Sequence, residues 1–336
     1  MKALVLTGTK QMEIQDLETP TPKPDEVLVK TAYAGICGTD DALYNGLPGS
    51  ADAVPPIVLG HENSGVVAAV GANVTQFKKG DRVAVDPNIY YPKDKYFRVD
   101  RPQLAEDLSA VGVTRNGGLE DYFTAPESVV YHVPANLSLK AACSTEPVSC
   151  GVHGIRRLSL QPHYKALVMG DGYMGLLFVE LLKAYGVQHV DLTGRHDDKL
   201  AEEQKLTGAD HVINTETGKI DEEYDIVIEA VGRPETQEQA IEVAGKGGQI
   251  LMFGVGRPDQ TFTVNTYAVF QKELDIKGSF INPYAFDDSL ALMASGKIDV
   301  EPLIKNVLSL DQVVGKLDGS DKRPGKSVVE LDGSLK

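Results

Sequence analysis

Lys165-Ala166-Leu167-Val168-Met169-Gly170-Asp171-Gly172-Tyr173-Met174-Gly175 is the stretch that decides the fold. An apolar run ends in glycines spaced G-x-G-x-x-G, and a helical pattern begins at Tyr173. In that setting Gly170 permits a tight turn, Gly172 lets the backbone approach a pyrophosphate, and Gly175 lets helix pack on strand. The N–H groups opening the helix, at Tyr173 and Met174, point at the anion. Three glycines alone would equally mark an incidental turn, so the weight lies in the strand before them and the helix after.

The rhythm around this turn extends the reading. Strand-like residues 166–169, 189–193, 211–213, 225–229, 249–253 and 275–280 alternate with helical patterns over 173–185, 197–207 and 236–244. Such alternation predicts a doubly wound parallel sheet of right-handed crossovers, an α/β Rossmann fold. Upstream, short β-type runs at 26–33, 65–70, 82–85 and 129–133 are broken by Gly and Pro, which predicts an antiparallel or barrel-like β domain. The tail carries one further helix over 287–295 and a strand over 327–331.

The chain has 336 residues, enough for two domains, and 42% are hydrophobic. No apolar run approaches the ~18 residues of a membrane span, and residues 1–7 read as a strand rather than a secretory signal. A net charge of −15 argues against nucleic acid and anionic membranes as partners. Three cysteines, Cys37, Cys143 and Cys150, do not make a disulfide framework, and a cytoplasmic location is expected.

Cys37 opens Cys37-Gly38-Thr39-Asp40, His61 and Glu62 follow Gly60, and Glu146 precedes Pro147. Thiolate, imidazole and carboxylate are zinc ligands, and three of them leave a fourth position open. Each residue alone reads as well as a buried cysteine or a satisfied core histidine. Cys143 and Cys150 flank Glu146 and are rivals for the third ligand. A Lewis acid beside a hydride carrier implies alcohol–carbonyl redox chemistry.

Nucleotide choice is read at the end of the second strand, His189-Val190-Asp191-Leu192-Thr193-Gly194-Arg195-His196. The acidic slot that binds the ribose hydroxyls of NAD falls on Gly194, while Asp191 lies too early. Gly194 makes room, and Arg195, helped by His196 and Lys199, offers a fork for a 2′-phosphate. NADP(H) is therefore expected. In the alternative, Arg195 merely solvates a strand end and Asp191 or Asp197 serves NAD.

These segments, in this order, resemble the zinc-dependent medium-chain dehydrogenase/reductase family, and most of all its polyol, sugar and diol dehydrogenases. The resemblance runs from Met1 to about Leu331. It implies a GroES-like β-barrel catalytic domain over residues 1–147, an NADP-binding Rossmann domain over 148–284, and a segment over 285–336 that returns to the first domain. It also implies one catalytic zinc held by Cys37, His61 and Glu146. Glu62 is then a fourth, exchangeable ligand or a base beside the metal. The Thr39 hydroxyl relays the substrate proton, although helix capping is a common threonine role as well. Many relatives end that relay with a histidine where this chain has Ala42, which leaves Asp40 or water as the exit.

Relatives also carry four cysteines for a structural zinc. The matching positions here are Tyr91, Asp94, Phe97 and Ala105, so no structural zinc is expected, with Tyr90, Tyr91, Tyr96 and Phe97 packing the lobe. The loop Ala230-Val231-Gly232 resembles a nicotinamide contact. Polar candidates for the substrate are Asn88, Arg115, Asn116, Glu120 and Asp121. A homodimer or homotetramer joined through the nucleotide domain is expected. The competing readings are a zinc-free quinone or enoyl reductase of the same fold and a non-catalytic NADP-binding protein.

Overall fold

In the computed structural model, which describes residues 1–91 and 94–335, the chain divides into two units. One takes Met1–Ser149, Ile281–Ala294 and the segment from Val300 onward, and the other takes Cys150–Phe280 with Ser295–Asp299. The boundary falls inside the helix Thr145–Arg156.

The first unit is built on antiparallel sheet. Strands Val130–His132, Arg82–Val85, Glu62–Val70, Glu26–Ile36, Lys326–Glu330 and Ile304–Leu308 follow one another across its seven-stranded sheet, and Tyr122–Pro126 pairs with Glu26–Ile36. A hairpin of Lys2–Gly8 and Gln11–Asp16 joins Ile57–Val58 in a second sheet. Register decides what meets what. Gly35 lies opposite Glu62 on one side of the long strand, and Ile36 lies opposite Ser327 on the other. Cys37, Glu62 and Lys326 are therefore brought to adjacent strand ends. Leu4, Leu6, Leu43, Leu59, Leu119 and Val329 fill the core behind them.

The second unit is a six-stranded, all-parallel sheet in the order Val212–Asn214, His189–Gly194, Lys165–Met169, Tyr224–Glu229, Ala244–Met252, Asp275–Gly278. In chain order this is 3-2-1-4-5-6, the doubly wound arrangement whose ligand crevice lies where strand order reverses, beyond Met169. The helix Tyr173–Ala184 is buried continuously from Gly175 to Leu182, so its apolar run faces protein all round. Among the described residues no helix is long and apolar enough to cross a membrane.

Three elements escape the sequence pattern. The helix Thr145–Arg156 holds Pro147 in its first turn, where a missing N–H leaves no bond unmade. The helix Thr266–Lys272 is short and depends on its Asn265 cap, which accepts from Tyr267 N and Ala268 N. The strand Ile304–Leu308 buries only its two ends. The lobe after Ile89 also differs from expectation. Tyr91 is exposed, and Tyr90, Tyr96 and Phe97 are only half-buried. Two single-turn helices, Phe97–Val99 and Pro102–Leu104, are too thin to enclose a core, and turn bonds such as Tyr96 N to Asp94 Oδ1 (2.6 Å) hold them instead.

Candidate active site

Cys37 lies at the junction of the strand Glu26–Ile36 and the helix Gly38–Tyr44, as that helix's N-cap. Thr39 is inside the first turn, so its hydroxyl is not the cap and is free for other work. Its Oγ1 lies 3.8 Å from the Cys37 sulfur. Gly60 takes φ +97, a backbone state that favours glycine, and turns the chain so that His61 and Glu62 follow at once. Each of Cys37, His61 and Glu62 brings a ligand atom within 4.8 Å of the other two. Ligand atoms around a tetrahedral zinc lie roughly 3.3–3.8 Å apart, so this sulfur, nitrogen and oxygen set fits the ion.

Asp40 locks the set. Its Oδ2 accepts the Cys37 N–H at 2.9 Å, and its Oδ1 lies 3.4 Å from His61 Nδ1. With Nδ1 turned toward the Asp40 carboxylate, Nε2 is left for a ligand, the usual arrangement behind a metal-binding histidine. Burial works against a charge on His61, but the Asp40 carboxylate outweighs it and holds the ring's pKa well above its ordinary value. Cation and proton then compete for the ring. Spacing alone named no partner for His61; the signal was present at Asp40, three residues beyond Cys37.

Glu62 is fully buried, and its side chain lies across Gly35, where an added methyl would come 1.8 Å from Oε2. Lys326, itself buried, places Nζ 2.5 Å from the Glu62 carboxylate and donates to Ile36 O at 3.0 Å. Asp40 and Glu62 place two carboxylates here against the single ammonium of Lys326, with the Cys37 sulfur beside them. A divalent cation bound by this set would add positive charge to an acid-rich cluster.

Glu146 is placed apart from the tightest set. Among the described residues the metal-sized set is Cys37, His61 and Glu62, and Glu146 stands outside it. Glu146 lies in the first turn of Thr145–Arg156, near enough to Asp86 to disfavour that residue's charge. Burial is the larger cause, and together they push Asp86 up to about 7. Register, which sequence spacing does not reveal, makes Glu62 the carboxylate beside the sulfur. Cys143 is fully buried, and burial pushes its thiol up to about 12, which makes it a poor ligand.

The proposed substrate groups scatter. Arg115 is ion-paired with Glu26 at 2.8 Å, Asn116 Oδ1 accepts from Val58 N, and Asp121 Oδ2 accepts from Lys2 N. Arg115, Asn116 and Glu120 line a separate cavity of about 420 Å³ with Met1, Leu17 and Thr124. Asn88 is buried and bonded to Asn282 Oδ1 (2.7 Å), within a network joining Asp86 and Ser149.

In the nucleotide unit, Gly170 takes φ +108, and a methyl on Gly175 would come 1.8 Å from Gly170 O. Space around the Cα of Gly172 is open, as close approach of a phosphate requires. Tyr173 and Met174 form the first turn of the following helix. Val231 packs its side chain on Gly170. Its N–H, that of Gly232 and the Thr236 hydroxyl all bind Glu229, a buried carboxylate that organises this loop. Asp191 is committed elsewhere, to Tyr224 OH (2.9 Å) and His211 (3.1 Å). Gly194 ends its strand with Arg195 and His196 exposed beyond it. Lys199 is tied to Asp171 and Glu203.

Known proteins share both halves. Residues 23–135 match the alcohol dehydrogenase GroES-like domain and residues 174–295 the zinc-binding dehydrogenase family. Sorbitol dehydrogenase of Bacillus subtilis (strain 168) is 33% identical over 324 residues, covering 93% of this chain and 91% of its own. A structure described as a zinc-binding dehydrogenase of Sinorhizobium meliloti 1021 bound to NADP superposes with a TM-score of 0.92 at 28% identity, covering 98% of each chain. One described as a short chain alcohol dehydrogenase of Escherichia coli CFT073, complexed with NADH, does so at 0.91 and 27%, covering 98% of this chain and 99% of its own. The chain belongs to the zinc-dependent medium-chain dehydrogenase/reductase family, with the polyol dehydrogenases.

Proposed function

We propose that this protein transfers a hydride between NADP(H) and a secondary alcohol, polyol or sugar, at the hydroxyl or the carbonyl. The observation that carries the reading is the Cys37–His61–Glu62 set, a sulfur, a ring nitrogen and a carboxylate oxygen within 4.8 Å of one another, with His61 and Glu62 buried. One zinc per chain, held there, supplies a Lewis acid that eases deprotonation of an alcohol or polarises a carbonyl. Asp40 fixes the ring of His61, and Lys326 balances the charge of Glu62. Thr39 Oγ1, beside the sulfur, takes the substrate hydroxyl proton. Asp40 is buried and already engaged by Cys37 and His61, so the proton leaves through water.

The metal chemistry is assigned to residues 1–147 with the return segment 285–336, and nucleotide binding to 148–284. The pyrophosphate is assigned to the turn Gly170 to Gly175, including the N–H groups of Tyr173 and Met174, and the nicotinamide side to Val231. Gly194 and exposed Arg195, with His196, favour a 2′-phosphate, and Lys199 contributes less because Asp171 and Glu203 hold it. A homodimer or homotetramer is supported by the edge strand Asp275–Gly278, paired on one side, and by exposed Tyr267 and Phe270 nearby in sequence. Three cysteines, none in a disulfide among the described residues, fit a reducing cytoplasm.

The test is a screen of sorbitol, xylitol, glucose, butanediol and simple secondary alcohols, following NADPH and NADH formation separately. Turnover of a hydroxylated substrate with NADP favoured in kcat/KM is expected. Equal or better use of NAD overturns the nucleotide assignment, and turnover with none of them overturns the substrate class.

A further inference from the structure

Gly194 has a close neighbour that the strand-end pattern does not reveal. A methyl group on Gly194 would come 2.7 Å from Asp171 Oδ2 and 2.9 Å from its Cγ. The Asp171 carboxylate, reaching over from the glycine turn, thus lies where the side chain of a strand-end acid would begin. Lys199 pins it there, with Nζ 2.9 Å from Oδ2 and a bond to Asp171 O at 2.8 Å. The same ammonium meets Glu203, a buried carboxylate, at 3.1 Å. Lys199 is therefore shared by two anions. Arg195 is exposed and makes no hydrogen bond or ion pair among the described residues.

We propose that Asp171 is a specificity-determining residue for the nucleotide, accepting ribose hydroxyls in place of a strand-end acid and opposing a 2′-phosphate. This rests on the reading that a dinucleotide places its adenosine ribose at the end of the strand His189–Gly194. A carboxylate at that spot serves the hydroxyls of NAD, and the same charge repels a 2′-phosphate of nearly two negative charges. The preference for NADP that Gly194 and Arg195 create is held down by Asp171. Gly194 has a second reason to be glycine, because any side chain there displaces the carboxylate.

Asp171→Asn keeps the size and removes the charge. The ratio of kcat/KM for NADP to that for NAD is expected to rise roughly tenfold or more, since one fewer like charge faces the phosphate at short range. The change appears as a lower KM for NADP and a higher KM for NAD. Asp171→Ser, smaller and also uncharged, shifts the ratio the same way and decides the matter if the Asn variant does not fold. A purely structural role would move both nucleotides together. A ratio that stays within about twofold of wild type, or falls, overturns the inference. The wild-type ratio reports on the NADP preference and its change on substitution reports on Asp171, so either can fail without the other.

Discussion

Asp40 shows how much of the candidate site depends on a residue outside the candidate ligand set. Its single carboxylate sets the Cys37 backbone and faces the His61 ring. Cys37→Ser and His61→Ala are expected to abolish turnover while leaving NADPH binding intact, measured by nucleotide fluorescence. Asp40→Asn is expected to weaken zinc binding by roughly 10- to 100-fold in chelator competition, the usual effect of losing the partner of a ligand histidine. Glu120 supplies a different test. It is 1% exposed, and burial, with Asp121 nearby, pushes its pKa from 4.5 up to about 8. The folded protein holds that proton to higher pH than the unfolded chain. Its contribution to stability is therefore full below about pH 4.5 and is lost as pH rises through about 8. Glu120→Gln removes that loss, so the variant gains stability over wild type between about pH 5 and pH 9, by on the order of a few kcal/mol in denaturant titrations. The clustering of Cys37, His61 and Glu62 and the turn at Gly170 were legible in the sequence. The partners Asp40, Lys326, Glu229 and Asp171 were not, because their roles arise from contacts between segments far apart or from a side chain's direction.

At the level of elements, most strands and helices followed hydrophobic period, and Thr145–Arg156, Thr266–Lys272 and Ile304–Leu308 did not. The runs at 82–85 and 197–207 correspond to Arg82–Val85 and Asp197–Thr207. The helix Thr145–Arg156 was hidden by its proline and by small residues. The register Gly35 to Glu62 is what brings Glu62 beside the sulfur. Packing in the nucleotide unit gives two predictions. Phe178 is fully buried and meets Phe253 edge-on, with ring centres 4.7 Å apart, so Phe178→Ala is expected to cost about 3–5 kcal/mol of unfolding free energy. Gly175→Ala drives a methyl into Gly170 O, and loss of nucleotide binding in a still-folded protein is the expected result, read by fluorescence and circular dichroism.

For the whole molecule, the two-part architecture was the most legible feature. A change from period-two runs to alternating strand and helix marks it without any knowledge of contacts. The observed strand order 3-2-1-4-5-6 brings the glycine turn to the point of reversal. Subunit number was not legible, because it depends on surface shape. Size-exclusion chromatography with light scattering is expected to give a dimer or tetramer. The most direct test of the account is the zinc content of purified, active enzyme, followed by chelation and metal restoration with a polyol substrate. The account predicts one zinc per chain, loss of turnover on chelation with NADPH binding retained, and recovery when zinc is added. Full activity in protein free of metal and indifferent to chelators would contradict it.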